Sequence, residues 1–573
     1  MHVVTNRRTY KGKVYESHLL RHSFREDGKV KNETLANLSH LPGPIIEVLR
    51  QLLAGKYFVL AGEGFEIQRT LLHGHVAALS AMANKLGMAK LLGPSSKERD
   101  IALSLIIARA IKPTSKLATT RWWGDTTLGA DLVPEGTSTD EVYRAMDWLV
   151  GRQSSIEAAL ARRHLEKGSM VLYDLSSSWM EGTKCPLSHH GYSRDHKSSK
   201  TQIEYGLMTD KEGRPISIEV FGGNTADPKA FVSAVSKVRE RFGLKEVVMV
   251  GDRGMITSAR IEALQTLGGT SWITCLRAPA IKALAEDGAI QLSLFDEMNL
   301  VEITHPDYPN ERLVACRNPS LASERTRKRN ALLEATEEDL KKIQDAISRP
   351  IRPLHTKEQI LLRVAKVINR HKMAKHFDYT VTDESLEFSK KTDQIAAEEA
   401  LDGIYVIRTP VPADQLDTAQ VVHAHKGLKV VEADFRSLKA IDLDLRPIHH
   451  YLEDRVRAHV FIAMLASYLL WHLRKAWAPL CFVDEEQLTP VDPVAPAVAS
   501  ASARAKAATK VTTDKKYPAQ NMDTLLHHLS TLARNTIVFS NGVRIEKLTV
   551  PTELQRQAFA LIEAPIPIEI RAM

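Results

Sequence analysis

Between residues 169 and 276 the apolar positions leave a helical period for strict alternation and then return to it. Residues 170–173 form a short apolar run, and Ile203, Tyr205 and Leu207 alternate with polar neighbours. After a turn at 210–213, Ile216, Ile218 and Val220 alternate again. Alternation with period two lays one face of a strand on a core, so these segments predict a three-stranded meander. Asp227-Pro228 then supplies a helix N-cap and a first-position proline. Phe231, Ala234, Val235, Val238 and Phe242 follow at helical spacing. Residues 247–250 and 272–276 are continuous apolar runs flanking a helix from about Ser258, the pattern of buried parallel strands joined by a crossover. The predicted order is β-β-β-α-β-α-β.

The rest of the chain divides around this block. Residues 1–60 read as a small α+β module with turns at Lys11-Gly12 and Asp27-Gly28 and a helix over 44–53. Residues 61–168 take a helical period, as in Leu103, Ile106, Ile107 and Ala110, and again in Val142, Met146 and Leu149. With Arg121-Trp122-Trp123 beside them, these helices are either a packed layer or a helix-turn-helix-like reader of DNA ends. Residues 278–402 carry charged helices at 323–347 and 358–368 and a strand pair near 377–388, the pattern of an inserted subdomain. The sheet pattern resumes at 403–408, a helix follows through Lys439, and a strongly apolar helix spans 453–471. The core is therefore expected over 169–277 and 403–480. Residues 491–520, rich in Ala, Ser, Pro and Lys, have the composition of a flexible linker. A small region over 521–573, with a hairpin turn at Asn541-Gly542, closes the chain.

Composition narrows the class without choosing a function. At about 150 residues per domain, 573 residues suggest three to four units. The 44% hydrophobic and 25% charged residues exclude wholesale disorder and fibrous repeats. The longest nearly uncharged apolar run, 459–471, falls short of the ~18 residues of a membrane span, so no membrane is expected. Four cysteines too far apart for a CxxC pair, and an N-terminus without an apolar signal core, point to a reducing cytoplasm. A net charge of +8 permits a polyanionic partner without requiring one.

Candidate chemistry sits at the strand ends. Asp174 follows the first apolar run and Asp252 the fourth, so parallel neighbouring strands would bring both carboxylates out at one sheet edge. Two such groups repel unless a cation lies between them, and all-oxygen ligands suit magnesium. Each aspartate alone could equally start a loop or cap a helix. Glu432, in VEADFRSLK, is the candidate third carboxylate. Leu428, Val431, Phe435 and Leu438 make the helix's buried stripe, with Glu432, Arg436 and Lys439 along its flank. The plainer reading is a solvated Glu432–Arg436 pair.

YDLSSSWMEG (173–182), HHGYSRDHK (189–197), QIEYGL (202–207), FGGNTADP (221–228), VGDRGMIT (250–257), DGIYVIRT (402–409) and VEADFRSLK (431–439) together resemble, in order, the blocks of bacterial DDE insertion-sequence transposases. The resemblance is to the group with a Y-x2-R-x3-E-x6-K signature. It implies an RNase H-like mixed five-stranded sheet in which Asp174, Asp252 and Glu432 are the D, D and E and the metal ligands. The long gap before Glu432 agrees with an insertion ahead of the last catalytic helix. Glu432 and Lys439 fit E-x6-K, whereas His425 and Leu428 stand where the signature has Tyr and Arg. The implied activity is magnesium-dependent cleavage and joining of DNA at the element's terminal inverted repeats. Two ions are expected, with manganese able to substitute, and two ends would be paired by a dimer in a cytoplasmic, nucleoid-associated setting. Arg253, Arg436, Lys439 and Arg194, the last together with Lys197, are placed to meet phosphates, and the signature singles out Lys439.

Two other classes compete. A catalytically silent transposase-derived protein would keep the DNA-binding surface without the chemistry. A magnesium-dependent phosphohydrolase would explain VVGDRG-like loops, but Asp174-Leu175-Ser176 lacks the second aspartate such enzymes place two residues on. Cys185, His189, His190 and His196 mix zinc-binding residue types without paired ligand spacing. The run Arg325–Arg329 either faces solvent or follows a DNA backbone.

Overall fold

A computed structural model describes residues 1–56, 64–486 and 492–571. The chain forms two units, Met1–Leu71 with Ala533–Val550, and Leu72–Leu532 with Pro551–Met573. The boundary expected at 60–61 lies outside the described residues, and the C-terminal region expected as one piece is divided between the units.

The smaller unit begins with an antiparallel sheet of β1 (His2–Tyr10), β2 (Lys13–Glu26) and β3 (Lys29–Asn37). Both of its turns have two central residues at positive φ, Lys11-Gly12 and Asp27-Gly28, the twist that two-residue hairpins favour. After α1 (Gly43–Leu53), β4 (Phe65–Leu72) stands where a helical period was expected to begin.

The larger unit opens with α2 (Gly74–Lys85), α3 (Met88–Leu92), α4 (Lys97–Ile111), α5 (Lys116–Trp123), α6 (Thr127–Asp131), α7 (Thr139–Gly151) and α8 (Gln153–His164). Trp122 and Trp123 are buried, with the Trp122 ring edge-on to His75, so this pair serves packing. Next come β5 (Met170–Trp179), β6 (Gln202–Asp210), β7 (Pro215–Gly222), α9 (Asp227–Ser236), β8 (Val247–Val250), α10 (Ser258–Leu267) and β9 (Thr270–Cys275). Ala226 rather than Asp227 occupies the cap position of α9.

Residues 278–402 hold α11 (Ala278–Glu286), β10 (Leu300–Ile303), β11 (Arg312–Arg317), α12 (Pro319–Ile347), α13 (Lys357–His371), the pair β12 (Phe377–Val381) and β13 (Leu386–Lys390), and α14 (Thr392–Glu399). Beyond them lie β14 (Ile404–Thr409), α15 (Thr418–Lys426), α16 (Leu428–Arg436) and α17 (Glu453–Ala476). The chain ends through α18 (Ala501–Thr509), α19 (Met522–Ser530), β15 (Ala533–Phe539), β16 (Arg544–Leu548) and α20 (Glu553–Leu561). In the smaller unit β16, β15 and β4 make a second three-stranded sheet. That pairing joins residues more than 450 positions apart, which is why the local pattern at Phe65 concealed a strand.

The main sheet has eight strands where five were expected, in the order β10-β11-β14-β9-β8-β5-β6-β7. Strands β5, β8 and β9 run parallel, and β6 and β7 extend them as the expected antiparallel meander. The three added strands are antiparallel: β14 on β9, β11 on β14 and β10 on β11. Part of the segment expected as an inserted subdomain therefore completes the sheet, and α12, α13, β12 and β13 share a separate apolar cluster around Leu340, Ile360 and Phe377.

Helix α17 is the centre of the core. It is long and apolar enough to cross a membrane, yet its apolar stretch is 83% buried inside the protein, packed on α4, α7 and β7. The expected linker is also structured in part. Its first residue, Val491, lies outside the described residues. Lys506, on α18, has a buried amine that donates to the carbonyls of Ala478 (3.0 Å), Cys481 (3.1 Å) and Val483 (2.7 Å) and to Glu485 (2.8 Å). One satisfied lysine thus anchors a segment that has little apolar surface of its own.

Two histidines of this unit set an acid limit. Burial, assisted by His73 and His527, pushes His75 down to about 3, and burial with Lys116 and Arg109 does the same to His450. The unfolded chain binds these protons near pH 6.5 and the folded chain does not. Their contribution to stability is complete above that pH and lost as pH falls toward 3. We expect the melting temperature to drop below pH 6.5, each histidine contributing a slope of up to about 1.4 kcal/mol per pH unit. His75→Phe should flatten the drop in a pH series of melting curves, and an unaltered profile would exclude His75.

Candidate active site

The site is assembled by strand register. Strands β5 and β8 pair in parallel up to Leu172–Val250, and Asp174 and Asp252 each stand two residues beyond that pair. The two carboxylates therefore leave the sheet at the same edge. Strand β5 does not stop at Tyr173 but continues to Trp179 against β6, with Asp174 opposite Leu207. Ser176, Ser177 and Ser178 are buried in that extension, and Ser178 bonds the Tyr205 hydroxyl (2.9 Å). Helix α16 packs across β5 and β6 and brings Glu432 over the strand ends.

The three carboxylates line one cavity of about 350 Å³, together with Arg194, Arg436 and Lys439. Asp252 and Glu432 are exposed, whereas Asp174 is nearly enclosed. Its carboxylate accepts the Leu175 N–H at 2.8 Å. Burial, reinforced by the charges of Asp252 and Glu432, nevertheless pushes Asp174 up to about 7. Arg253 is exposed beside Asp252 and is not part of the cavity wall.

Lys439 is less accessible than a flanking helix position implied. Helix α16 passes at Ser437 into a π turn over Ser437–Ile441, which widens the turn and buries Ser437, Leu438 and Lys439 in succession. The Lys439 amine donates to Asp195 (2.9 Å), which Arg446 also grips, and burial lowers the lysine's pKa. Next along the chain, Arg194 faces buried Glu204 (3.7 Å), and its backbone N–H donates to Ser177 (3.1 Å). Asp195, Arg446, Glu204 and Ser177 thus fasten the β5–β6 loop over the site. Ser177, Asp195 and Glu204 lie in blocks that carry the resemblance, but nothing in the sequence names their pairings.

His425, at the signature's tyrosine position, is half-buried with its Nε2 3.2 Å from the Cys275 thiol. Burial holds the imidazole down to about 4 and the thiol up to about 12, so the contact joins two neutral groups. Asp434, on the same helix as Glu432, is buried toward Asp210 and Arg474 and is pushed up to about 7. The mixture of Cys185 with nearby histidines makes no metal cluster among the described residues.

Comparison with known families bears on this arrangement. A model of the transposase DDE domain matches residues 176–470, more than half of the chain. The chain belongs to the DDE transposases. Residues 3–62 match the N-terminal domain of IS1634 family transposases, which makes this an insertion-sequence transposase. The matched DDE stretch contains Asp252 and Glu432 and starts two residues after Asp174. No curated protein matches the transposase. Among solved structures, a cryo-EM structure of the piggyBac transposase synaptic complex with hairpin DNA is similar at 8% identity and a TM-score of 0.33, covering 82% of this chain and 81% of that one.

DDE domains cleave and transfer DNA strands with divalent ions. The donor set here fits such an ion: three carboxylates, all oxygen, around a crowded Asp174 whose charge a cation would stabilise. Among the described residues no three such donors already stand close enough to hold one ion together.

Proposed function

We propose that Asp174, Asp252 and Glu432 are the catalytic triad and hold two magnesium ions, for which manganese can substitute. The observation that carries this reading is the convergence of β5, β8 and α16 on one cavity lined by all three carboxylates, the deepest of them raised by burial and then by the other two. The strand order β7-β6-β5-β8-β9, antiparallel then parallel, supports an RNase H-like core within the wider sheet. Bound there, the ions supply activation of the attacking oxygen and stabilisation of the leaving oxygen in an in-line phosphodiester displacement.

The chain's own residues do the rest. Asp174, at the fixed strand position, anchors the site, while Asp252 and Glu432 close from a loop and a helix. Arg194, Arg436 and Arg253 meet phosphates around the cavity, and Lys439 adds a fourth cation whose position Asp195 sets. On this reading the transposase binds its element's terminal inverted repeats, brings two ends together as a dimer, and cuts and joins them in the cytoplasm at the nucleoid. A gel assay on DNA carrying the element's ends tests it. Cutting should require added magnesium or manganese, stop with EDTA and resume on replacement. Cutting that persists in EDTA would exclude a metal-held triad.

A further inference from the structure

A second cavity, of about 370 Å³, opens between the α4–α5 connection and the segment leading into α17. Its wall carries Arg109, Lys116, Arg446 and Arg455, and Asp444 is the one acid among the described lining residues. Three of the cations have partners. Arg109 donates to the carbonyls of Thr114 (3.1 Å) and Leu443 (3.3 Å). Arg446 holds Asp195, and Arg455 lies 3.7 Å from Asp147 and over the Tyr143 ring.

Lys116 differs. The residue is 4% exposed, and its amine has no hydrogen-bond or ion-pair partner among the described residues. Burial drives its pKa down, and the charge of Arg109 drives it further. Burial, followed by the same two cations, pushes His450 and His459 well below their usual range, so no neighbouring imidazole offers a compensating interaction. Proteins rarely leave an ammonium buried without a counter-charge, because its desolvation goes uncompensated. A wall of cations around such a group is a receptor for an anion. Lysine and arginine together satisfy a carboxylate or a phosphate through charge-assisted hydrogen bonds, and in a DNA-cutting enzyme the phosphate is the anion at hand.

The cavity also adjoins the carboxylate site. Arg446 lines it and pairs with Asp195, whose other partner, Lys439, lines the carboxylate cavity. We propose that the Lys116 cavity binds a phosphate group of DNA, holding the strand that runs through the carboxylate site, with Lys116 and Arg109 as its donors. The strand's path rests on the triad reading, but the phosphate site itself is testable without cutting.

The test measures binding of the full-length transposase to duplexes carrying the element's ends, without divalent ion, across a salt series. One duplex has a 5′-hydroxyl and the other a 5′-phosphate. Lys116→Met keeps the side chain's length and removes its charge. We expect weaker binding, a slope of log K against log[salt] reduced in magnitude by about 0.9, and a melting temperature that is unchanged or higher. Equal losses on both duplexes assign the site to an internal phosphodiester, and a larger loss on the phosphorylated duplex assigns it to a strand end. Leu117→Glu provides a second variant, because Leu117 is exposed at the cavity wall. Its carboxylate should weaken binding most at low salt. Unchanged affinity and slope in folded Lys116→Met, or in Leu117→Glu if the first variant does not fold, overturns the proposal. Weakened binding by the variants, alongside a wild-type protein that does not cut with magnesium, would instead sink the triad reading and leave this site standing.

Discussion

Asp174→Asn, Asp252→Asn and Glu432→Gln should each abolish strand cleavage and joining while DNA binding persists. An amide keeps the carboxylate's shape but cannot supply the charge that a hard divalent cation requires. Metal assistance is worth several kcal/mol of barrier, so the rate should fall by at least about 10³-fold. The same residues predict the opposite effect on the folded protein. Burial and two neighbouring carboxylates raise Asp174, which means that ionising it at neutral pH opposes folding. In metal-free buffer above pH 7, Asp174→Asn should therefore melt no lower than wild type, and higher if the repulsion is strong. Loss of cutting with retained or improved stability marks a group kept for chemistry. Cleavage assays, gel shifts and melting curves on the three variants separate these quantities. Near wild-type cutting by any one of them would remove that residue from the triad.

How much of this could be read from sequence depended on whether a pairing was local. Strands β5 to β9 were legible because β6 and β7 alternate with period two and β8 and β9 are short apolar runs around one helix. The strand ends then placed Asp174 and Asp252 together before any family was considered. Beyond that block the signal weakens for physical reasons. Strand β11 reaches its partner β14 only across the helices α12 to α14, so its apolar residues looked like part of an insertion. The apolar run ends at Tyr173 because Ser176 to Ser178 are polar, yet the hydroxyls of Ser177 and Ser178 are satisfied inside the protein. Helical phase places Leu438 correctly in the buried stripe but not Lys439, because in the π turn a strict 3.6-residue period no longer describes which neighbouring side chains are buried. The pairings of groups such as Asp195 and Lys506 were invisible, since nothing near them in sequence names the partner.

The Asp195 pairing makes a prediction that the sequence alone could not. Its side chain is 2% exposed and takes two cations, Lys439 and Arg446, so Asp195→Ala leaves a buried lysine with no counter-charge. Breaking a buried pair from one side typically costs 3–5 kcal/mol, and because Arg446 remains partly exposed we expect about 3 kcal/mol here. Cutting should also fall, because the β5–β6 loop that carries Arg194 loses one of its fastenings over the carboxylates. Lys439→Met should cost less stability, as Asp195 keeps Arg446. The Asp195→Leu/Lys439→Met double variant should recover most of the melting temperature without recovering the rate. Salt titration adds an independent reading of Lys439. A lysine devoted to one phosphate would contribute about 0.9 to the slope of log K against log[salt]. One shared with Asp195 contributes less, so Lys439→Ala should change the slope less than Arg436→Ala, whose side chain is exposed at the cavity. Equal slopes for the two variants, with Asp195→Ala melting like wild type, would mean that the ion pair does not hold in solution and that Lys439 meets DNA directly.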